Sequence, residues 1–107
     1  MSKLNITGRL LSVSTEQSKS GENFKSLKVQ STYFDPNTGE NLRSDDYELL
    51  VFANRIDEDQ LNATVGKVAI FECYVNGRKN ESSDRTFYNV QFSCIKISQA
   101  YERSTRN

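Results

Sequence analysis

The strongest constraint on this chain is an apolar period of two that recurs in five short stretches. Leu4, Ile6, Gly8 and Leu10 alternate with polar residues. Leu27, Val29, Ser31 and Tyr33 alternate with Lys28, Gln30, Thr32 and Phe34. Tyr47, Leu49 and Val51 face away from Asp46, Glu48, Leu50 and Phe52, and Ala69, Phe71, Cys73 and Val75 face away from Val68, Ile70, Glu72 and Tyr74. Tyr88, Val90 and Phe92 continue the pattern in a fifth stretch. Successive side chains of a strand point to opposite faces, so this spacing specifies strands that are apolar on one side. It predicts strands over Leu4–Val13, Phe24–Phe34, Asp46–Phe52, Lys67–Asn76 and Thr86–Ser98.

The period slips twice. After Leu10 the apolar positions become Leu11 and Val13, which a β-bulge between Gly8 and Leu11 explains, and a strand glycine marks the sharp bend that a small barrel needs at a corner. A second slip falls at Cys94, Ile95 and Ile97. Between the strands, Ser14–Asn23 is wholly polar and reads as a loop. Asp35-Pro36-Asn37-Thr38-Gly39-Glu40-Asn41 has hairpin-loop chemistry, so strands two and three are expected as antiparallel neighbours, with Arg43 near the exit of the turn. Ala53–Val65 is polar and acidic, with Ile56, Leu61 and Val65 as its sizeable apolar residues, and predicts a short helix over one end of the sheet. Asn76–Arg85 is polar, contains Gly77, and reads as a loop carrying Arg78, Lys79 and Arg85.

At 107 residues the chain suits one domain. Three strands, a helical connection and two more strands point to an all-β fold with one short helix, a five-stranded OB-fold Greek-key barrel. Periodicity alone leaves a small β-sandwich open. The barrel is expected to occupy residues 1–98, and residues 99–107 to form a frayed polar tail.

Fourteen basic and fourteen acidic side chains cancel to zero net charge, so the chain as a whole exerts no long-range pull on a polyanion, and one would be held through a local patch. There is no His and no Trp, which removes the usual general base and imidazole ligand. The acidic groups Asp45, Asp46 and Glu48, and Asp57, Glu58 and Asp59, lack the glycine-punctuated spacing of a calcium loop and read as solvated. Neither catalysis nor a metal or other cofactor is expected. Cys73 and Cys94 are too few for a zinc cage and read as reduced, small core residues. The first residues lack a signal-peptide run and no segment is apolar enough to span a bilayer, so a cytoplasmic protein without membrane contact is expected.

Ile6-Thr7-Gly8-Arg9-Leu10, Ser20-Gly21, Leu49-Leu50-Val51-Phe52 and Gly66-Lys67-Val68-Ala69-Ile70-Phe71-Glu72 occur in an order and spacing that resemble the bacterial single-stranded-DNA-binding protein family over about the first 98 positions. The resemblance implies an OB-fold, single-stranded DNA binding with a place in DNA replication, and homo-oligomers. Two departures stand out. Asp46 and Glu48 occupy outer positions where the family offers aromatics and cations, and the chain stops at Asn107 without the family's acidic tail, which suggests a short, tail-less relative.

Single strands are held by aromatic platforms and by cations along the backbone. Phe34, Phe52 and Tyr74 lie on the phase opposite the expected core, and Phe87 can join them. The candidate cations are Arg9, Lys25, Lys28, Arg43, Arg78, Lys79 and Arg85. RNA is left open as a ligand, since stacking does not distinguish the two polymers. The competing reading is an interaction module in which Leu50, Phe52 and Ile70 are covered by a protein partner or a second copy.

Overall fold

The computed structural model describes residues 2–99. It has five strands and one helix: β1 Ser2–Gln17, β2 Asn23–Phe34, β3 Asn41–Val51, α1 Glu58–Thr64, β4 Val68–Glu81 and β5 Thr86–Gln99. They close a barrel in the order β1-β2-β3-β5-β4, in which only β3 and β5 run parallel. This is the expected five-stranded OB-fold with its helix between β3 and β4. Closure at β3 and β5 is brief, with Leu49 opposite Phe92 and Leu50 opposite Ser93. Beyond that contact the strands diverge and leave two hairpins projecting, and the molecule measures 56 × 35 × 23 Å.

β1 serves two neighbours. Its first half pairs with β4, from Ser2 opposite Val75 to Arg9 opposite Val68, and from Arg9 onward it pairs with β2. Gly8 sits at the handover. A Cβ there would lie 2.7 Å from the Gln30 carbonyl oxygen and 2.9 Å from a Val29 methyl, so only glycine lets β2 approach this closely. The register then shifts between Leu10 and Ser12, which makes Leu11 the bulged residue. The second slip is also a bulge: Glu72 pairs with Lys96 and Cys73 with Cys94, leaving Ile95 as the extra residue.

The inward set is Ile6, Leu10, Leu27, Val29, Leu49, Val51, Ala69, Phe71, Cys73, Cys94 and Ile97, closed at one end by Ile56 and Leu61. Val13, Tyr47 and Phe92 pack against it, and the Tyr47 and Phe92 rings meet edge to face at 6.0 Å. Burial pushes the Tyr47 phenol up. Cys73 and Cys94 are free, fully buried and directly opposite each other. The hydrogen-bonded Cys94 thiol and burial push the Cys73 thiol up and keep it protonated.

Strand ends differ from expectation at three places. Asn76–Arg85, expected as a loop, is mostly a continuation of the β4–β5 ribbon, with Lys79 opposite Tyr88 and Glu81 opposite Thr86, and the turn is confined to Ser82–Arg85. A two-stranded ribbon wet on both faces needs no apolar period, so its polar sequence resembles a loop. For the same reason β1 and β2 extend into Ser14–Asn23, leaving a turn in which the Ser18 N–H donates to the Glu22 carbonyl at 2.8 Å. β3 likewise begins at Asn41 rather than Asp46. The expected tail begins with Gln99, the last residue of β5, and residues 100–107 lie outside the described residues.

Candidate nucleic-acid interface

β3 ends in a turn of unusual backbone. Ala53 and Asn54 both have positive φ, 54° and 52°, and the Arg55 N–H donates to the Phe52 carbonyl at 3.2 Å. Asn tolerates the left-handed region, whereas for Ala it costs about 1–2 kcal/mol. The strained turn brings both Phe52 and Arg55 to the wall of a cavity of about 370 Å³. Tyr74, Asn76, Ser93 and the bulged Ile95 complete its wall with the buried Cys94. Tyr74 lies opposite Ser93 in the β4–β5 ladder, Asn76 is two residues on from Tyr74 and therefore on the same face, and the Asn76 Nδ2 donates to Ser93 Oγ at 3.3 Å. Phe52 is 37% exposed and leans on Phe24, ring centroids 5.5 Å apart. The Lys3 ammonium sits 5.9 Å from the Tyr74 ring centroid while bridging to Glu72 at 3.1 Å.

From this cavity the same face continues along the hairpin through Arg78, with Gln91, Asn89 and Phe87 across the ladder. Arg78, Asn89 and Gln91 also line a groove of about 410 Å³ whose other bank is Asp46, Glu48 and Leu50 of β3. Farther out, the Arg85 guanidinium lies 5.2 Å from the Phe87 ring centroid. Phe52, Tyr74, Arg78, Arg85 and Phe87 thus form one stripe from the barrel seam to the hairpin tip. Lys79 falls on the opposite face with Tyr88 and is bridged to Glu81 at 3.1 Å.

The other expected residues lie elsewhere or have internal partners. Phe34 and Arg43 are on the β2–β3 hairpin, at the far end of a ladder in which Lys25 pairs with Val51 and Phe34 with Asn41. Arg43 stacks over Tyr33 at 5.2 Å and bridges to Asp45 at 2.9 Å. Arg9 donates to the Gly66 carbonyl and ties β1 to the turn before β4. Lys25, 21% exposed, donates to Thr15 Oγ1 at 2.7 Å and to Glu58 at 2.8 Å, which fastens α1 to the barrel. Lys28 bridges to Glu48 at 2.7 Å, and Ser26 donates to the same carboxylate at 2.6 Å. These hydrogen bonds, Lys28's foremost, hold the Glu48 carboxyl below the usual range. Glu48 therefore shows the outer face a compensated charge, and Asp46 accepts a hydrogen bond from Gln30 at 3.1 Å.

Sequence reasoning passed over Arg55, Asn76 and Ser93. Arg55 falls in the polar connection after β3, where the Asn54 preference for the left-handed region is the only local signal of a turn. Asn76 and Ser93 carry no signal of their own, because the ladder register brings them together. Among the described residues Arg55, Arg78 and Arg85 make no ion pair, whereas Lys3, Lys25, Lys28, Arg43 and Lys79 each do.

No family model matches the chain, and no curated protein matches it by sequence. Solved structures do. The mitochondrial single-stranded DNA binding protein Rim1 of S. cerevisiae superposes with a TM-score of 0.61 at 20% identity, over 91% of this chain and 92% of that one. A Plasmodium falciparum SSB in complex with ssDNA gives 0.59 at 15% identity, over 87% and 85%. The small single-stranded DNA-binding protein from Streptomyces coelicolor gives 0.56 at 10% identity, over 92% and 93%. The chain is thus similar in fold to these single-stranded-DNA-binding proteins over 87–92% of its length.

Proposed function

We propose that the protein is a non-catalytic binder of single-stranded DNA that holds the strand along the stripe from Phe52 and Tyr74 to Phe87, largely without regard to sequence. The observation that carries this reading is that Phe52 and Tyr74 line one outward cavity together with Arg55, whose guanidinium makes no ion pair among the described residues. A stacked base there meets an aromatic face and its phosphate meets a cation, the two contacts a single strand requires. The fold likeness to proteins named for single-stranded DNA binding supports the same reading.

Fluorescence anisotropy with a labelled oligothymidine at low and moderate salt tests it. Binding is expected at low salt, and Phe52→Ala or Tyr74→Ala should weaken it by about 5- to 150-fold, the equivalent of about 1–3 kcal/mol for one stacked base. No binding at low salt, where phosphate contacts are strongest, rejects the proposal. An oligouridine competitor run alongside decides between DNA and RNA.

A second reading rests on the hairpins. Tyr33, Phe34 and Leu42 on one, and Tyr88 and Val90 on the other, are exposed, with Tyr88 at 76% and Val90 at 60%. Apolar groups this open on projecting ribbons suit contact with another copy of the chain, so a homo-oligomer is proposed. Light scattering tests it: Tyr88→Ser with Val90→Ser should lower the particle mass. If Phe52→Ala instead dissolves the oligomer and leaves DNA binding intact, the outer face is a protein interface.

A further inference from the structure

We infer that the Phe52–Tyr74 cavity is selective at the one nucleotide it receives, and that the base it favours is adenine. The inference rests on the single-strand reading above and adds a base-edge contact to it. Stacking and phosphate contacts are blind to sequence, yet this cavity also presents a side-chain amide and a hydroxyl that are already oriented. The Asn76 Nδ2 donates one N–H to Ser93 Oγ, which leaves the amide a second N–H and the Oδ1 acceptor, and leaves the Ser93 hydroxyl proton free to donate. A donor and an acceptor side by side on an Asn amide are the complement of adenine N7 and N6. Guanine entering by the same N7 edge would set its O6 against the Asn76 oxygen, two acceptors facing each other, and would have to turn its Watson–Crick edge, N1–H and O6, to pair with the amide. Thymine and cytosine have no N7 edge, so they would meet the amide through their Watson–Crick edges, and they offer one ring to Phe52 and Tyr74 where adenine offers two.

The cavity has the size for this. About 370 Å³ lies within the range of small-ligand pockets, about 300–1,000 Å³. Tyr74 and Asn76 are on consecutive outward positions of β4, and Ser93 is opposite Tyr74, so the stacking ring and the edge-reading amide are held by one ladder. Arg55, carried by the strained turn, is left for the flanking phosphate.

Guest-base substitution in a thymidine host tests the assignment, using an oligonucleotide of about 16 nucleotides, the upper site size for one OB domain. The central thymidine is replaced in turn by deoxyadenosine, 7-deaza-deoxyadenosine, deoxyguanosine or deoxycytidine. The deoxyadenosine guest should bind about 5-fold or more tighter than each of the others, the low end for a bidentate base contact. The 7-deaza guest keeps both rings and the amino group, so its loss separates edge readout from stacking. Asn76→Ala should abolish the ratio between those two guests whatever it does to overall affinity, and Ser93→Ala, which releases the amide, should reduce it. Equal binding of the adenine and 7-deaza guests, or a pyrimidine or guanine guest binding tightest, overturns the inference while the single-strand reading stands. Failure of every oligonucleotide to bind overturns both.

Discussion

Gly8 and Ala53 are the two residues whose backbone surroundings decide most. At Gly8 the neighbours within 3.0 Å include the carbonyl group of Gln30, which cannot swing aside as a flexible side chain would. Gly8→Ala is therefore expected to lower stability by about 1–3 kcal/mol, in the range of core overpacking, read as a fall in the urea midpoint with an unchanged m-value. Ala53 is the reverse case. Its φ of 54° is one that glycine adopts freely, but glycine also adds entropy to the unfolded chain. Ala53→Gly should raise stability by at most about 1 kcal/mol, the left-handed cost less that entropy, while loosening the turn that carries Arg55. Gly8 was legible in the sequence as a bend, because a glycine interrupting a strand pattern has few other uses. Ala53 was not, since alanine gives no hint of a left-handed backbone and only tertiary closure between β3 and α1 forces it there.

At the scale of elements, strands with one wet and one dry face could be read, and elements wet on both faces could not. The β4–β5 ribbon beyond Asn76 is the clearest example: cross-strand pairing replaces burial there, and sequence period says nothing about pairing. α1 was legible from Ile56 and Leu61, which close the barrel end. What holds the helix was not, because Lys25 read as a surface cation and is a tether. At seven residues, with no side-chain hydrogen bond from its cap residue Asp57, α1 is too short to persist alone and depends on tertiary contacts. Lys25→Ala should speed amide exchange in α1 selectively, above that of β2. The tether also predicts a pH dependence. The hydrogen bond from Lys25 lowers the Glu58 carboxyl, as that from Lys28 lowers Glu48. A carboxyl held lower in the folded state binds fewer protons there than in the unfolded chain. Its stabilisation is therefore complete above the ordinary Glu value of about 4.3 and is lost as pH falls through the lower folded value. Urea midpoints at neutral pH and at pH values below that range should fall less for Lys25→Ala and Lys28→Ala than for the unaltered chain.

For the whole molecule, zero net charge means no long-range pull on a polyanion and leaves binding to a local patch, and the structure shows how the charge is distributed. Among the described residues five cations are matched to carboxylates, Lys3, Lys25, Lys28, Arg43 and Lys79, while Arg55, Arg78 and Arg85 on the stripe that begins at Phe52, like Arg9, Lys19, Lys67 and Lys96 elsewhere, make no ion pair. A phosphate approaching a paired lysine would have to displace its carboxylate, whereas at these three arginines it displaces only water and ions. The count has a measurable consequence. Each phosphate neutralised on a single strand contributes about 0.7 to the slope of log affinity against log salt, so three contacts give a slope of about −2. Arg55→Ala should make it shallower by about 0.7. Glu48→Lys does the opposite, since it releases Lys28 from its bridge and adds a second cation on the bank of the groove facing Arg78. Tighter binding and a slope steeper by about 1.4 are expected if the strand passes between β3 and the β4–β5 hairpin. A slope that Glu48→Lys leaves unchanged, with Arg55→Ala still flattening it, would place the strand on the β4–β5 side alone, running from the Phe52 cavity to Phe87 without crossing β3.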